Sequence, residues 1–135
     1  MHTFALRLSP NQDLKEELGA IAGREGIQAG FILTGIGSLK QATLRFADQA
    51  TSCRLEQKFE IISLVGTLSL NGAHLHIALG DREGKVIGGH LLPGCIVYTT
   101  AEIVIGVTDE FTFLRRLDQQ TGFKELEIVS NDPER

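Results

Sequence analysis

An Asn71-Gly72 pair between two apolar segments is the strongest constraint on how this chain can fold. The pair favours a β-hairpin, because the tight turns of hairpins need residues that tolerate positive φ angles. Residues 59–70, before the pair, are apolar at their centre on both faces, and residues 73–79 continue after it. We therefore expect residues 59–79 to form a hairpin whose first strand is central in a sheet or lies at a subunit contact.

Three of the four histidines follow this turn. His74 and His76 are two residues apart, so on a strand their side chains share one face, about 7 Å apart at ~3.3 Å per residue. The apolar residues between and after them face the other way. The segment 80–84 predicts a turn, and residues 85–88 predict a returning strand. That strand would bring His90 back toward the pair.

This spacing suits a metal site. Imidazoles can converge on one zinc ion with Zn–N bonds of about 2.0–2.1 Å, and three such ligands leave a fourth position for water. The alternative is a pair of solvent-facing imidazoles and a third histidine in a glycine-rich turn. The spacing by itself leaves both interpretations open.

The rest of the pattern predicts a single α+β domain over residues 1–130, followed by a polar tail over 131–135. One long N-terminal helix is predicted at 10–25, with Ser9 as its cap and Pro10 at its first position. Its apolar stripe must pack on a sheet. The sheet is predicted to be mainly antiparallel, with strands that include 3–8, 28–38, 41–47, 96–107 and a charged edge at 123–129.

Composition excludes several classes of protein. The chain has 135 residues and a formal charge of −4, without a basic stripe, so direct DNA binding by the chain alone is not expected. Cys53 and Cys95 are far apart in sequence and predict reduced thiols. No apolar run approaches the ~20 residues of a membrane span, and the N-terminus lacks the pattern of a signal peptide. We therefore predict a cytoplasmic protein.

The histidine region resembles the PPC family, a domain of unknown function that plants and prokaryotes share. The specific signature is Gly-x-His-x-His followed by Gly-Gly-His, at Gly72 to His76 and at Gly88 to His90. The resemblance covers most of the chain, including Ala5-Leu6-Arg7-Leu8, Thr34-Gly35-Ile36-Gly37-Ser38 and Thr99-Thr100-Ala101-Glu102.

The resemblance implies a homotrimer in which each subunit packs one helix on a mostly antiparallel sheet. It also implies that His74, His76 and His90 bind a metal, with zinc expected. In plant members the domain follows an AT-hook that contacts DNA, and the domain itself mediates self-association and partner binding. This chain has no AT-hook motif, which agrees with the expectation from its charge.

Four other side chains are candidates for a catalytic or ligand-binding role beside a metal. Glu60 is the first candidate for a proton acceptor, because its strand pairs with the histidine strand; Glu102 and Asp81 come next. Each could instead be solvated or could orient an imidazole by a hydrogen bond. Arg7 could bind a small anionic ligand or form a salt bridge.

Two functions therefore remain open. One is a trimeric metal-binding module for sensing or scaffolding, which includes a role within a DNA-associated complex. The other is a zinc-dependent hydrolase or lyase that acts on a small metabolite with metal-activated water. A deep cleft with a carboxylate near the ion would favour the enzyme, and a shallow, exposed site would favour the module.

Overall fold

Nine strands and one helix make up most of the chain in the computed structural model, which describes residues 1–135. The elements are β1 (His2–Leu8), α1 (Leu14–Arg24), β2 (Gly30–Arg45), β3 (Cys53–Leu55), β4 (Phe59–Ser69), β5 (Gly72–Gly80), β6 (Val86–Leu91), β7 (Ile96–Val107), β8 (Phe111–Leu117) and β9 (Lys124–Ser130).

Seven strands form one antiparallel sheet in the order β1-β7-β2-β4-β5-β6, with β3 beside β2. Strand β2 also pairs with β6, so β2, β4, β5 and β6 close into a ring. Strands β8 and β9 form a separate two-stranded sheet. The prediction that 123–129 is a charged edge of the main sheet is therefore wrong, because β9 pairs only with β8.

The ring closes because β2 is long and irregular. The two strands predicted at 28–38 and 41–47 are one strand of 16 residues. Its pairing with β7 shifts register at three places, between Ile32 and Thr34, Gly37 and Leu39, and Leu39 and Gln41. Such irregularities bend a strand. The early part of β2 consequently pairs with β4, while Leu44 and Arg45 reach β6.

The predicted hairpin is present, with Ser69 paired to Gly72 across the turn. Its first strand is apolar on both faces, as the sequence indicates. Ile61 and Leu64 are buried, whereas Ile62 and Val65 are more than half exposed, at 57% and 53%. The second face therefore presents apolar side chains to solvent.

The helix is shorter than predicted. It has 11 residues and begins at Leu14, where the side chain of Asp13 caps it by accepting a hydrogen bond from the Glu16 N–H at 3.1 Å. Residues before the cap cannot continue the helix, because Asn11 has a φ of 75° and its N–H donates to the Val97 carbonyl. Ser9, the predicted cap, instead lies in a turn ahead of the helix, where its N–H donates to the Gln12 side chain and its carbonyl accepts from the Gln12 N–H.

The helix still packs as its stripe predicts. Its buried residues join the inward-facing side chains of the sheet in one core of 23 residues, and those from the helix are Leu14, Leu18, Ile21 and Ala22. The helix is not long and apolar enough to cross a membrane.

Gly66 is required where the histidine strand meets its neighbour. Its φ is +134°, and an added Cβ would lie 2.0 Å from the carbonyl oxygen of His74 on β5. Only glycine adopts this conformation readily, and it also allows the close approach of the two strands.

We expect Gly66→Ala to lower the free energy of unfolding by about 2 kcal/mol or more, through backbone strain and a steric clash. Gly19→Ala is the control, because Gly19 lies in the helix with no atom within 4 Å of the added Cβ. That change should raise stability by roughly 0.5–1 kcal/mol. Urea unfolding measures both, and equal effects of the two substitutions would contradict the assignment.

Candidate metal centre

Two adjacent strands bring three histidines together. His74 and His76 project from the outer face of β5, and His90 on β6 lies directly opposite His76 in the pairing register. The ring centroids are 4.9 Å apart for His74 and His76, 5.3 Å for His74 and His90, and 4.5 Å for His76 and His90. Each ring offers one nitrogen within 4.8 Å of the others. We call these residues the histidine cluster.

The cluster fits a transition-metal ion. Tetrahedral ligation with Zn–N bonds of about 2.0–2.1 Å places ligand nitrogens about 3.3 Å apart. The nitrogens, which lie within 4.8 Å of one another, would need to close by about 1.5 Å at most. His74 and His76 are exposed and His90 is half-buried, so small side-chain rotations can supply this change.

The opposite face of the same strands fixes the cluster in place. Leu75, Ile77 and Leu91 alternate with the histidines and are at least 98% buried in the core. A one-residue slip of either strand would expose this apolar row and bury the imidazoles. The burial of these side chains therefore specifies the register that the cluster needs.

The charges around the cluster favour neutral imidazoles. Partial burial, and next the positive charges of His76 and Arg115, lower the pKa of His74; the Glu125 carboxylate opposes this shift. Partial burial, followed by the charge of Arg45, also lowers the pKa of His90. Neutral imidazole is the form that binds metals, so both shifts favour ligation at neutral pH.

A cavity of about 490 Å³ lies against His74 and His90. Its charged side chains come from four different elements, α1, β2, β8 and β9, and they are Lys15, Arg45, Arg115, Lys124 and Glu125. These charged residues were not predicted from the sequence. No local pattern links them to the histidines, because the β8–β9 hairpin reaches the site only through tertiary packing.

The four other predicted site residues lie away from the histidine cluster in the structure. Glu60 pairs with Gly80, which is four residues beyond His76. Glu60 therefore lies about 13 Å from His76, measured along the strand direction. Asp81 accepts hydrogen bonds from the N–H groups of Glu83 and Lys85 and stabilises the β5–β6 turn.

Arg7 and Glu102 face each other across β1 and β7, on the far side of β2 and β4 from the histidine strand. The Arg7 guanidinium donates to the Thr100 hydroxyl at 3.1 Å. Within one chain, none of the four predicted partners lies beside the cluster, and the carboxylate near it is Glu125.

Comparison with known proteins identifies the family. The family model of the Plants and Prokaryotes Conserved (PCC) domain matches residues 1–109. The chain belongs to this family. The match includes all three histidines of the cluster and ends before the β8–β9 hairpin of this PCC-domain protein.

Two curated relatives are larger proteins. Both are named bifunctional protein GlmU, come from Synechococcus strains and are 49% identical to this chain over 128 and 132 residues. The matched part covers 95% and 96% of this chain but only 21% of each relative, so the chain spans about one fifth of their length. AT-hook motif nuclear-localized protein 8 from Arabidopsis thaliana is 24% identical over 110 residues, covering 75% of this chain and 28% of the relative.

Solved structures share the whole fold. A hypothetical protein from Salmonella cholerae-suis has a TM-score of 0.94 and 42% identity, covering 97% of this chain and 95% of that one. A metal-containing protein from Archaeoglobus fulgidus has a TM-score of 0.80 and 29% identity, with 94% of each chain covered. A candidate DNA-binding protein from Bacteroides thetaiotaomicron has a TM-score of 0.83 and 26% identity, with 93% and 91% covered.

The lowered pKa values of His74 and His90 predict how metal binding depends on pH. Protons compete with the metal at these two residues as the pH falls through their pKa values, which lie below the ordinary 6.5. We expect the zinc affinity to be nearly constant from about pH 8 to about pH 7 and to fall steeply below about pH 6.5. Chelator competition across this range measures it, and a loss that begins above about pH 7.5 would contradict the assignment.

Proposed function

We propose that this PCC-domain protein binds one zinc ion on His74, His76 and His90 and acts as a homotrimeric metal-binding module. The convergence of three imidazole nitrogens within 4.8 Å is the observation that carries the proposal. The metal-containing relative from Archaeoglobus fulgidus, with 29% identity over 94% of each chain, supports it.

The donor set favours zinc over the common hard cations. Magnesium and calcium prefer oxygen ligands, whereas neutral imidazole suits zinc and its neighbours in the first transition row. Three protein ligands leave a coordination position for water or for an oxygen of a bound molecule, which zinc can polarise. The cavity that adjoins His74 and His90 offers space for such a molecule.

The exposed outer face of the sheet supports self-association. Ile36 on β2 and Ile62 and Val65 on β4 lie on neighbouring strands and are 59%, 57% and 53% exposed. Apolar side chains gathered on adjacent strands are typical of surfaces that bind other proteins. A second and third copy of this chain would cover them, as the family resemblance implies.

We also propose that the chain takes part in DNA-associated complexes only through partners. The chain carries a formal charge of −4, and several of its cations lie in one concave site rather than along a stripe that could follow phosphates. The Bacteroides and Arabidopsis relatives make a DNA-associated setting reasonable for the family.

One observation favours the alternative of a zinc-dependent hydrolase or lyase. Glu125 lines the cavity beside His74 and is close enough for its charge to affect the pKa of that histidine. A carboxylate in this place could accept a proton from a polarised water or substrate. Turnover of a small metabolite by the zinc-loaded protein would separate this function from that of a binding module.

The zinc proposal predicts that His76→Ala removes most of the bound metal, because two imidazoles cannot complete the site. His2→Ala is the control, since His2 lies outside the cluster with its side chain 53% exposed. Elemental analysis of both purified variants should show about one zinc per chain in the control and much less zinc in His76→Ala, because its affinity should be at least about tenfold weaker. Equal metal content in the two variants would overturn the proposal.

The trimer proposal predicts that Ile62→Glu dissociates the assembly, because it places a charge within an apolar contact. Light scattering should give a mass near three times 14.7 kDa for the unchanged protein and near 14.7 kDa for the variant. Leu117→Glu, at a 69% exposed position on β8, should remain a trimer. An unchanged protein that is a monomer at micromolar concentration would refute trimer formation.

A further inference from the structure

The cavity beside the histidine cluster has the charge of an anion-binding site. Four of its lining residues are cations, Lys15, Arg45, Arg115 and Lys124, and the only lining carboxylate is that of Glu125. The chain as a whole has the opposite sign, with a formal charge of −4. A local excess of positive charge in an acidic protein concentrates anions at this one place.

These cations have no carboxylate partners. None of the four takes part in an ion pair within 4.0 Å, although the chain has six ion pairs of Lys or Arg elsewhere. Arg116, the neighbour of Arg115 on β8, is paired with Glu127 at 2.6 Å. Arg116 is therefore neutralised by a carboxylate. The guanidinium of Arg115, which lines the cavity, has no carboxylate partner.

Neutral groups hold the two arginines near the histidines. The Arg115 guanidinium donates to the Thr67 hydroxyl at 3.0 Å, and Thr67 lies opposite His74 in the β4–β5 register. Arg45 lies opposite His90 in the β2–β6 register, and its guanidinium donates to the Gln49 carbonyl at 3.4 Å. Neutral acceptors fix a guanidinium in place without cancelling its charge, so both arginines are prepared for an anion.

The geometry points to a small phosphate ester as the ligand. We propose that Arg45, Arg115 and Lys15 bind its phosphate group in this cavity. Two arginines offer forked donors that match a tetrahedral, doubly charged group. The volume of about 490 Å³ is within the range for small-molecule sites. Phe123, which is 66% exposed at the same cavity, provides an apolar surface for the rest of the molecule.

Selectivity for this ligand would come from the β8–β9 hairpin. Arg115, Phe123, Lys124 and Glu125 all lie beyond residue 109, where the family match ends. The histidine cluster lies within the match, and the hairpin beyond it completes the cavity. The proposal extends the zinc site but does not depend on the ion, since none of the three phosphate contacts is a metal ligand.

Calorimetry on metal-free protein, with ribose 5-phosphate and ribose as probes, tests the proposal. Ribose 5-phosphate should bind, ribose should not, and Arg115→Met should weaken phosphate-ester binding about tenfold or more. Arg116→Met is the matched control and should change the affinity less than about twofold, because its guanidinium already pairs with Glu127. Arg45→Met, on a different element, should repeat the effect of Arg115→Met.

Failure of this proposal can be told apart from failure of the zinc site. Zinc content should be normal in Arg115→Met, and the affinity for ribose 5-phosphate should fall as salt is raised. The proposal is overturned if neither arginine substitution weakens binding, if ribose binds as well as its phosphate, or if no binding is detected. If the protein binds ribose 5-phosphate but does not take up added zinc, the cavity proposal stands and the zinc proposal fails.

Discussion

The register between β5 and β6 is the constraint on which the site depends. His76 lies opposite His90 because Leu75 and Ile77 on β5 and Leu91 on β6 are buried on the other face. Side chains alternate between faces on a strand, so the same register that buries the apolar row must project the imidazoles outward together. The core and the histidine cluster are therefore two results of one pairing, and Gly66 allows the neighbouring strand β4 to approach closely enough to support it.

The closure of the ring adds charge to this arrangement. Strand β2 bends and ends beside β6, which places Arg45 next to His90. Val65, His76, His90 and Arg45 consequently form one row across four strands. The β8–β9 hairpin approaches from another direction and supplies Arg115 and Glu125 beside His74. A metal cluster and a positively charged cavity thus share a boundary, although their residues come from distant parts of the chain.

The two faces of the sheet carry different kinds of residues. The inner face and the helix hold the core, and the outer face carries both the histidine cluster and the exposed apolar residues Ile36 and Ile62. Glu60, Glu102 and Arg7 also lie on exposed strand positions, but away from the cluster of their own chain. In this protein, an exposed position on a paired strand was not enough to bring a side chain to the site.

The sequence by itself indicated the family, through its histidine signature, and it determined the β4–β5 hairpin and the shared face of His74 and His76, because turn chemistry and strand alternation act over a few residues. It predicted the return of His90 without excluding a turn position for that residue. It also indicated the buried stripe of the helix, but not its start, since Asn11 and Gln12 bond to β7 instead of forming a first helical turn. Tertiary structure alone decided the closure of the ring and the identity of the charged neighbours Arg45, Arg115 and Glu125. Those contacts depend on a bend in β2 and on the docking of a separate hairpin, and neither leaves a periodic pattern in the chain.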